Sequence, residues 1–492
     1  MAAIPSALLL VAPIATPATT ALVIALTGWR RSTGRATVAS ALVVLSCGIA
    51  LAARLGTDHL RLGEVLRADA LSAVMLIVIG AVATLASWAS IDYLEDELAH
   101  DETTPAGARL YGALINSFIA SMALAVLAAN LGVVWVAVEA TTVATAFLVG
   151  HRRTRASLEA TWKYVVICSM GIALAFLGTV LLYFASLHAG PSAGALTIDG
   201  ITARATLLDP GVTRIAAGLL LLGYGTKVGL VPFHTWLADA HSQAPAPVSA
   251  LMSGVLLSVA ASVILRVRPI IDAAIGPHFL RVGLITLGLL TLFVAAGLLV
   301  AQRDYKRMLA YSSLEHMGIV AVAAGVGTEL AIAALLLHFL GHGLAKAVLF
   351  ITAGHLQHTY GSTSIADVTG LLARSRILGV GFAGGLAALL GLPPFALFAS
   401  ELGIARGTAA AHLAWPLAFA LLLMVVAFAA IARHGGAMLL GPAPAAAPAL
   451  SLRVSAAGPI LVGLAACLAL GVAAGPVVDL LRDAAAIVVG AA

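Results

Sequence analysis

Residues 335–350 read LLLHFLGHGLAKAVLF, and this stretch is the centre of an apolar run from 329 to 357 that decides the fold class. Crossing ~30 Å of hydrocarbon as a helix takes roughly 20 residues, so the run is long enough to span a membrane. Its polar residues His338, His342 and Lys346, here called the polar stripe, recur every four residues. Because four residues of helix rise about 6 Å and return to nearly the same face, we expect the three side chains to lie on one side of a helix.

The rest of the chain has the same apolar character. Of its 492 residues, 61% are hydrophobic and 10% are charged, whereas a soluble domain carries about 25% charged residues. A soluble core stops growing well below this size, so the surplus apolar surface must face lipid. We predict an all-α polytopic membrane protein with about fourteen spans joined by short loops. The spans lie near 4–28, 37–54, 69–91, 110–129, 131–150, 159–187, 212–238, 246–268, 279–301, 308–327, 329–357, 377–404, 413–433 and 455–479.

Cysteine usage and net charge exclude several other classes. Cys47, Cys168 and Cys467 lie singly in apolar runs and form no CxxC pair, so neither a disulfide framework nor an iron–sulfur site is indicated. The net charge of +5 does not indicate nucleic-acid binding, because most basic residues lie at segment ends, where membrane topology accounts for them. We expect no nucleic-acid partner, no bound cofactor and no redox centre in this chain.

The arginines near the chain start indicate an orientation. The first apolar run, Ile4 to Thr27, lacks a positive region before it and is followed by Arg30, Arg31 and Arg35. We interpret this run as a retained first span, not a cleaved signal. The positive-inside rule then places the N-terminus outside a bacterial-type cytoplasmic (inner) membrane, with the basic loops near 152–155 and 303–307 inside.

Lysine and arginine are used in different parts of the chain. Of the four lysines, Lys163, Lys227 and Lys346 fall inside predicted spans, whereas all twenty-three arginines lie in loops or at span ends. Arginine stays protonated in essentially any protein environment, but a desolvated lysine can lose its proton, with documented pKa shifts of several units. A lysine at a helix centre costs on the order of 3 kcal/mol. The split favours a proton-transfer role, and snorkelling of each lysine to the interface is the alternative.

Carboxylates inside the predicted spans are few. Glu139 is the only charged residue of LGVVWVAVEATTVATAFLVG, and Glu159 precedes Lys163 by four residues, a spacing at which a structural ion pair on one helix face is the alternative to a functional pair. Glu315 and His316 share the predicted span 308–327, where the pattern assigns them no role.

Two predicted spans are interrupted by proline close to an ionisable residue. Lys227 precedes Pro232, and Glu401 follows Pro393 and Pro394. Proline breaks the backbone hydrogen-bond ladder, and the freed groups are tolerated only inside protein or beside water. A broken helix with a nearby ionisable residue in each half is typical of transporters built from repeats, and two unrelated proline kinks are the alternative.

The spacing of the polar stripe suits a proton relay with one or two bridging waters between neighbours. Metal binding by His338 and His342 is a second interpretation of the same residues. The sequence shows no third ligand at a supporting spacing, so we predict no metal site.

Several segments resemble a known family, namely VEATT, EATWKY, KVGLVPFHTWLADAHSQAPAPVSALMSGVLL, RDYKRMLAYSSLEHMG, HGLAKAVLFITAGHL and LPPFALFASE. They are similar to the antiporter-like membrane subunits of respiratory complex I, of Mrp cation/proton antiporters and of energy-converting nickel–iron hydrogenases. The resemblance runs from about residue 69 to 433 and looks closest to the F-type subunit of hydrogenase four.

The resemblance implies a division of the chain. Helices four to eight and nine to thirteen of fourteen would form two inverted repeats, each containing one broken helix. The corresponding ranges are an N-terminal three-helix segment at 1–109, a first repeat at 110–268, a second repeat at 279–433 and a C-terminal helix at 455–492.

The resemblance also implies roles for single residues. Glu139 would match a fifth-helix glutamate that pairs with a seventh-helix lysine, here Lys227, and Lys163 would match a sixth-helix basic residue. The polar stripe would match the eleventh-helix relay, and Glu401 the twelfth-helix exit residue. One departure concerns the eighth helix, where complex I subunits carry a lysine or histidine and this sequence has Ser253 and Ser258.

Together these features predict a proton-translocating subunit of a redox-coupled complex. Its partners would be other membrane subunits, a peripheral redox arm and the lipid bilayer, and any oxidoreductase activity would belong to the complex. A sodium/proton antiporter of the Mrp type is an alternative, because Thr141 and Thr142 follow closely on Glu139 and offer oxygens to a hard cation. A non-conducting membrane scaffold is the other alternative, for which Ser258 is the main argument.

Overall fold

The computed structural model describes residues 5–191, 193–442 and 454–491, and almost all of them are helical. The helices are α1 (Ser6–Thr27), α2 (Arg31–Leu55), α3 (Ala70–Ala99), α4 (Pro105–Leu127), α5 (Leu131–Val149), α6 (Arg155–His188), α7 (Ile198–Thr202), α8 (Pro210–Val228), α9 (Thr235–Gln243), α10 (Ala246–Leu251), α11 (Leu257–Ile275), α12 (His278–Val300), α13 (Tyr305–Val326), α14 (Glu329–Tyr360), α15 (Leu371–Arg374), α16 (Arg376–Leu389), α17 (Ala396–Ala410), α18 (Ala414–Leu440), α19 (Val454–Val472) and α20 (Gly475–Val489). A π-helical turn, Met252–Leu256, joins α10 to α11.

The predicted fold class is confirmed. Within the described ranges, 12 helices are long and apolar enough to cross a membrane, with α10, the π turn and α11 counted as one. The predicted spans 212–238 and 377–404 are each divided into two helices, α8 with α9 and α16 with α17. The total of fourteen spans and the inverted relation of the two halves stay predictions.

Two local features differ from the sequence-based expectation. The loop after α2 contains a short antiparallel hairpin, β1 (Leu60–Leu62) with β2 (Leu66–Ala68), in which Arg61 pairs with Arg67. The predicted C-terminal helix consists of α19 and α20, separated near Ala474. The apolar pattern predicted neither feature. The hairpin lies outside the long runs that define spans, and the break near Ala474 lies within the predicted span 455–479, for which the pattern predicts one continuous helix.

Many helices begin at a residue whose side chain caps the first turn. Asn130, Thr154, Asp304 and Thr328 each accept a hydrogen bond from a backbone N–H of the following turn. These side chains satisfy one of the donors that a helix start leaves free. The caps therefore set where α5, α6, α13 and α14 begin and hence the height of their polar residues in the bundle.

The helix bundle has a polar centre and an apolar periphery. α3, α11, α13 and α14 are almost entirely buried, whereas α1, α2, α6, α18 and α19 expose much of their surface. The exposed side chains on the peripheral helices are large and apolar, as with Trp162, Phe147 and Val425. Lipid is the solvent that such a surface requires, since water cannot solvate it cheaply.

The first broken helix satisfies its free backbone groups within the protein. α8 ends at Gly229, which adopts the left-handed conformation with φ 90° that glycine accommodates without steric cost. The Trp236 indole donates to the Thr226 carbonyl at 3.0 Å, and the Val231 N–H donates to Thr291 Oγ1 at 3.0 Å. Lys227 therefore lies in the last turn of a half-helix whose end is stabilised by side chains.

The N-terminal end of α3 is stabilised by a buried carboxylate. Asp69, which is 1% exposed, caps α3 by accepting from the Ser72 N–H at 2.9 Å and forms ion pairs with Arg266 and Arg67. Burial raises the pKa of Asp69, but the two guanidinium groups and the hydrogen bonds outweigh it and hold the pKa well below its usual range. This carboxylate ties α3 to α11 and to the β hairpin.

We predict that Asp69→Asn destabilises the protein at neutral pH by about 3 kcal/mol, because asparagine still caps α3 but leaves the part-buried Arg266 guanidinium without its carboxylate partner. A carboxyl whose folded pKa is depressed contributes stability above its unfolded pKa of ~3.9 and loses it as the pH falls further. The variant should therefore show a lower melting temperature at pH 7 and a smaller further loss on acidification. Thermal unfolding of the purified protein in detergent measures both quantities.

Asp209→Asn is the matched control, since Asp209 caps α8 in the same way, accepting from the Val212 N–H at 2.8 Å, but is exposed. Its melting temperature should stay close to that of the parent protein. Equal melting curves for the two variants across the pH range would contradict the role of the buried ion pairs.

Candidate functional site

Lys227 is the centre of a buried polar group in the first half of the chain. Its side chain is 0% exposed, and its ammonium donates to Thr142 Oγ1 of α5 at 2.8 Å and to Tyr164 Oη of α6 at 2.6 Å. The Tyr164 hydroxyl also contacts Thr145 Oγ1 at 2.5 Å. The ammonium is thus held by neutral hydroxyl groups that can either donate or accept a hydrogen bond.

Glu139 lies on α5 one helical turn before Thr142, close enough to Lys227 for each charge to act on the other. In the described structure no ion pair within 4.0 Å joins Glu139 to Lys227, and the buried Oε2 of Glu139 has no protein hydrogen-bond partner. The structure therefore brings the predicted pair close together without an ion pair. Thr142, one turn after Glu139 on α5, accepts a hydrogen bond from the Lys227 ammonium.

Lys163 lies at the protein surface, although its position inside a predicted span suggested a buried environment. Its side chain is 46% exposed and its ammonium pairs with Glu159 at 2.7 Å and with Asp239 at 3.0 Å. Asp239 also accepts from Arg307 at 2.7 Å. The residue belongs to a surface ion-pair cluster that joins α6, α9 and α13, apart from the buried hydroxyls around Lys227.

The polar stripe is completely buried on α14, with each of its three side chains 0% exposed. The Lys346 ammonium donates to the Leu309 carbonyl and to Ser312 Oγ of α13, both at 2.6 Å. The rings of His338 and His342 are nearly parallel, with centroids 6.2 Å apart. Like Lys227, Lys346 has no carboxylate among its hydrogen-bond partners in the described residues.

His316 of α13 connects the stripe to other helices, and the sequence analysis gave it no role. Its Nδ1 lies 3.0 Å from Nε2 of His338, and its ring centroid lies 5.0 Å from that of His342. Its other nitrogen, Nε2, lies 3.5 Å from the Glu315 carboxylate. The only sequence signal was the presence of two ionisable residues, Glu315 and His316, inside one predicted span.

Glu401 lies on α17 just after the second break and faces the histidines. Gly391, in the left-handed region at φ 60°, packs against its carboxylate, since a Cβ atom there would come within 2.6 Å of Oε2. Nitrogens of His316 and His338 and a carboxylate oxygen of Glu401 lie within 4.8 Å of one another. A cavity of about 200 Å³ opens beside them, lined by Glu315 and by apolar residues of α16 and α18.

Comparison with known proteins assigns the family. Residues 128–427, which contain all seven predicted site residues, match the family described as NADH:quinone oxidoreductase/Mrp antiporter, TM. The chain belongs to this family. The resemblance predicted from the sequence is thereby confirmed.

Individual relatives agree with this assignment. The chain is 38% identical to a hydrogenase-4 component F homolog from Methylacidiphilum infernorum over 342 residues, which cover 69% of this chain and 71% of that protein. It is 30% identical to hydrogenase-4 component B from Escherichia coli over 369 residues, which cover 73% of this chain but 53% of that longer protein. A subunit of the archaeal membrane-bound sulfane sulfur reductase, a respiratory membrane complex, has the same fold, with TM-score 0.86, 22% identity and coverage of 98% of this chain and 97% of that one.

In this member of the NADH:quinone oxidoreductase/Mrp antiporter family, a further buried histidine lies between the polar group around Lys227 and the polar stripe. His241 of α9 is 0% exposed, and neither ring nitrogen has a hydrogen-bond partner among the described residues. Its ring lies 6.0 Å from those of Trp236 and Phe350. Because Phe350 belongs to α14, His241 faces the second half, while its helix adjoins Lys227 through the Trp236–Thr226 hydrogen bond.

Lys306 is the fourth lysine, and the sequence analysis counted it outside the spans. It is only 1% exposed at the start of α13, where its ammonium donates to the Ala244 carbonyl at 3.1 Å and to Gln357 at 3.2 Å. A buried lysine that is held by neutral oxygens therefore also lies at the start of α13.

The two serines that depart from the family pattern are both buried in the eighth predicted span. Ser253 lies in the π turn and is 2.6 Å from Ser313 of α13, whereas the hydroxyl of Ser258 has no partner in the described structure. π turns are rare and are frequently found at functional sites. Ser253 and Ser313 place a hydroxyl pair beside Ser312, the partner of Lys346.

The π turn reaches the polar stripe through a close approach of two glycines. A Cβ atom on Gly343 of α14 would come within 2.9 Å of the Gly254 carbonyl oxygen, and one on Gly254 within 3.0 Å of the Gly343 carbonyl. Real Cβ atoms essentially never lie so close to a backbone atom, so a side chain at either position would push the helices apart. This contact sets the distance between α14 and the π turn.

We predict that Gly343→Ala lowers the stability of the protein by about 1–3 kcal/mol, because the added methyl group meets backbone that cannot rotate away. The measurement is the thermal unfolding of the full chain in detergent. Gly297→Ala is the matched control: a Cβ atom there meets nothing within 4 Å, and alanine favours a helix interior. A melting temperature that falls equally in both variants would mean that the Gly254–Gly343 contact does not constrain the bundle.

Proposed function

We propose that the chain is the proton-translocating membrane subunit of a multi-subunit, redox-coupled complex of the NADH:quinone oxidoreductase or energy-converting hydrogenase type. The names of its relatives, among them hydrogenase-4 components, support this type of complex. The observation that carries the proposal is the burial of Lys227 and Lys346 with hydroxyl and carbonyl partners and without a carboxylate in hydrogen-bond contact.

Neutral partners let a buried lysine exist in both protonation states. As an ammonium, Lys227 donates to Thr142 and Tyr164; as a neutral amine, it can accept a hydrogen bond from the same Tyr164 hydroxyl, which rotates to donate. A carboxylate in contact would hold the proton on the lysine, because separating that pair leaves a buried charge unpaired. The hydroxyl environment therefore makes proton release and uptake at Lys227 comparable in cost.

Glu139 is suited to switch this equilibrium. It lies near Lys227 without touching it, and a movement of α5 or α8 changes the separation of their charges. Approach of the carboxylate favours the ammonium, and withdrawal favours release of the proton. We propose that structural change in neighbouring subunits acts on Lys227 through this distance.

The proposed route continues through the second half of the chain. From Lys227 the proton passes towards His241 and then to Lys346, the polar stripe and His316. His316 and His338 are in direct contact, with Nδ1 of the first 3.0 Å from Nε2 of the second. The ring centroid of His342 lies 5.0 Å from that of His316 and 6.2 Å from that of His338, and we propose that water bridges these two pairs. Glu401 and the cavity beside it form the proposed exit.

Lys163 takes a separate place in this proposal. Its exposed ammonium already contacts two carboxylates, so we propose that it positions α6 against α9 and does not carry protons. The proposed orientation has the N-terminus outside the cytoplasmic (inner) membrane, with Arg30, Arg31 and the loop around Arg152 on the inner side, in accord with the positive-inside rule.

A sodium/proton antiporter of the Mrp type is the second candidate function, supported by the hydroxyls near Glu139. Thr141 donates to the Val138 carbonyl at 2.6 Å, which leaves its oxygen lone pairs free for a cation. Dependence of proton uptake on external Na⁺ in vesicles distinguishes the two functions. A chain without any transport in its assembled complex would instead support the scaffold interpretation.

We predict that Lys346→Arg abolishes proton uptake as completely as Lys346→Ala. Arginine keeps the positive charge but does not deprotonate, so it preserves a structural contact and blocks a relay. Lys163→Arg is the matched control, because arginine retains the surface ion pairs with Glu159 and Asp239 and uptake should stay near normal. The measurement is proton uptake into vesicles that contain the assembled complex. Full uptake with Lys346→Arg would show that Lys346 is structural.

We also predict that Lys227→Ala and Glu139→Gln each reduce proton uptake at least about 100-fold, the lower end of the range for loss of a group that transfers protons, while the complex still assembles. The same vesicle assay measures uptake, and the amount of complex in the membrane measures assembly. Glu159→Gln is the control, since it makes the same chemical change at a carboxylate that is 67% exposed. Near-normal uptake in both Lys227→Ala and Glu139→Gln would remove this pair from the mechanism.

A further inference from the structure

His316, His338 and Glu401 have the composition and the spacing of a three-ligand metal site. Their ligand atoms lie within 4.8 Å of one another. Among the described residues, no other group of three histidine, cysteine, aspartate or glutamate side chains has this spacing. The facing nitrogens, Nδ1 of His316 and Nε2 of His338, are 3.0 Å apart. Two nitrogens bound to one tetrahedral Zn²⁺ at ~2.0–2.1 Å stand about 3.3 Å apart, so a shift of a few tenths of an ångström admits the ion.

The hydrogen bonds around the two histidines determine which nitrogens are free. Ser400 Oγ donates its one proton to the Leu397 carbonyl at 2.9 Å, so at its 3.0 Å contact with Nδ1 of His338 the serine accepts and the imidazole donates. In a neutral His338 the lone pair is therefore on Nε2, which points at His316. A neutral His316 donates from Nδ1 to this lone pair, and a metal ion that replaces that proton binds both nitrogens.

The outer nitrogens have the partners that metal-binding histidines usually have. Ligating histidines commonly donate their second N–H to a carboxylate or another oxygen, which fixes the ring orientation. His338 donates to Ser400, and Nε2 of His316 lies 3.5 Å from the Glu315 carboxylate, which is itself buried. Both rings are thus held with one nitrogen directed at a common point.

The third ligand, Glu401, lies in the wall of a cavity. Glu401 is half-buried and contributes a carboxylate oxygen, and the cavity of about 200 Å³ contains Glu315, His316 and Glu401 in its wall. Two histidines and one carboxylate are a ligand set that binds Zn²⁺ and leaves one coordination position for water. The sequence gave no sign of the site, because its ligands come from three helices.

We propose that His316, His338 and Glu401 form a binding site for a divalent transition-metal ion of the zinc class, and that the bound ion arrests proton transfer through the second half of the chain. The ion takes the nitrogen lone pairs that a proton must occupy to pass between His316 and His338. The arrest rests on the proposed transport function, whereas the binding site itself does not.

The test of binding uses the complex with the full chain, titrated with Zn²⁺ in a calorimeter and with Co²⁺ followed by its visible absorption. One ion should bind with the absorption of a tetrahedral nitrogen and oxygen site. Glu401→Gln should weaken binding by at least about 100-fold, and Ser400→Ala, which removes only the partner of a ligand, by about tenfold. Because Ser400→Ala changes the side chains least, it still tests the site if Glu401→Gln fails to fold.

His358→Gln is the matched control, because exposed His358 stacks at 5.3 Å with exposed His100 at the other end of α14 and forms the alternative histidine pair. It should bind Zn²⁺ as the parent protein does. Parent-like affinity in Glu401→Gln, or loss of binding in His358→Gln, would overturn the assignment of the site.

The test of arrest measures proton uptake into vesicles with and without Zn²⁺. Uptake by the parent complex should fall at least about 100-fold at saturating Zn²⁺, in line with the loss of a proton-transfer group, and His358→Gln should be inhibited equally. Tight Zn²⁺ binding with unchanged proton uptake would overturn the proposed arrest of proton transfer, but not the proposed metal site. Absent uptake before any Zn²⁺ is added would instead contradict the proposed function, so the two failures are distinguishable.

Discussion

The placement of two ammonium groups in the interior of a membrane protein is the constraint on which the rest of this structure depends. A charge in hydrocarbon is tolerated only if the protein supplies hydrogen-bond partners and separates it from lipid. Lys227 and Lys346 are each surrounded by helices that contribute a hydroxyl, from Thr142, Tyr164 and Ser312. The peripheral helices, with their exposed apolar side chains, complete the separation. The bundle therefore has two layers of helices. The outer helices face lipid with apolar side chains, and the inner helices surround the few side chains that we propose to change protonation state.

The broken helices follow from the same requirement. A helix end offers free carbonyls and N–H groups, whereas the interior of a continuous helix uses most of its backbone groups in its own hydrogen bonds. Lys227 lies in the last turn before the first break, and Glu401 lies in the second turn after the other. Around the first break, Trp236 and Thr291 satisfy backbone groups that lipid could not. Around the second, the absence of a side chain at Gly391 leaves room for the Glu401 carboxylate. Both breaks thus place polar groups inside an otherwise apolar bundle.

The sequence was sufficient for the elements and for part of the site. Long apolar runs predicted the membrane helices, and the four-residue spacing of the polar stripe predicted its common face, because both follow from the helix period alone. Lys163 shows the limit of that reasoning: its place within a run did not tell which face of α6 it occupies, and the ion pairs with Glu159 and Asp239 hold it at the surface. His316 and His241 had no periodic partner in their own segments. Their importance arises from residues on other helices, such as His338 and Lys346, which only the packed structure brings close.

The resemblance to complex I subunits predicts an ionisable link between the two halves in the eighth span, where this chain has Ser253 and Ser258. An ionisable group in the low-dielectric centre lowers the cost of moving a proton there, since an unassisted charge is expensive. Ser253 and Ser258 orient water but cannot hold the charge, and the Gly254–Gly343 approach leaves little room for a longer side chain between α14 and the π turn. His241 is buried nearby, on the half-helix that follows Lys227, and it responds to the charges of Lys306 and Lys346. On the proposed route the ionisable group is therefore displaced from α11 to α9, and the broken helix that carries Lys227 also supplies the link to the second half.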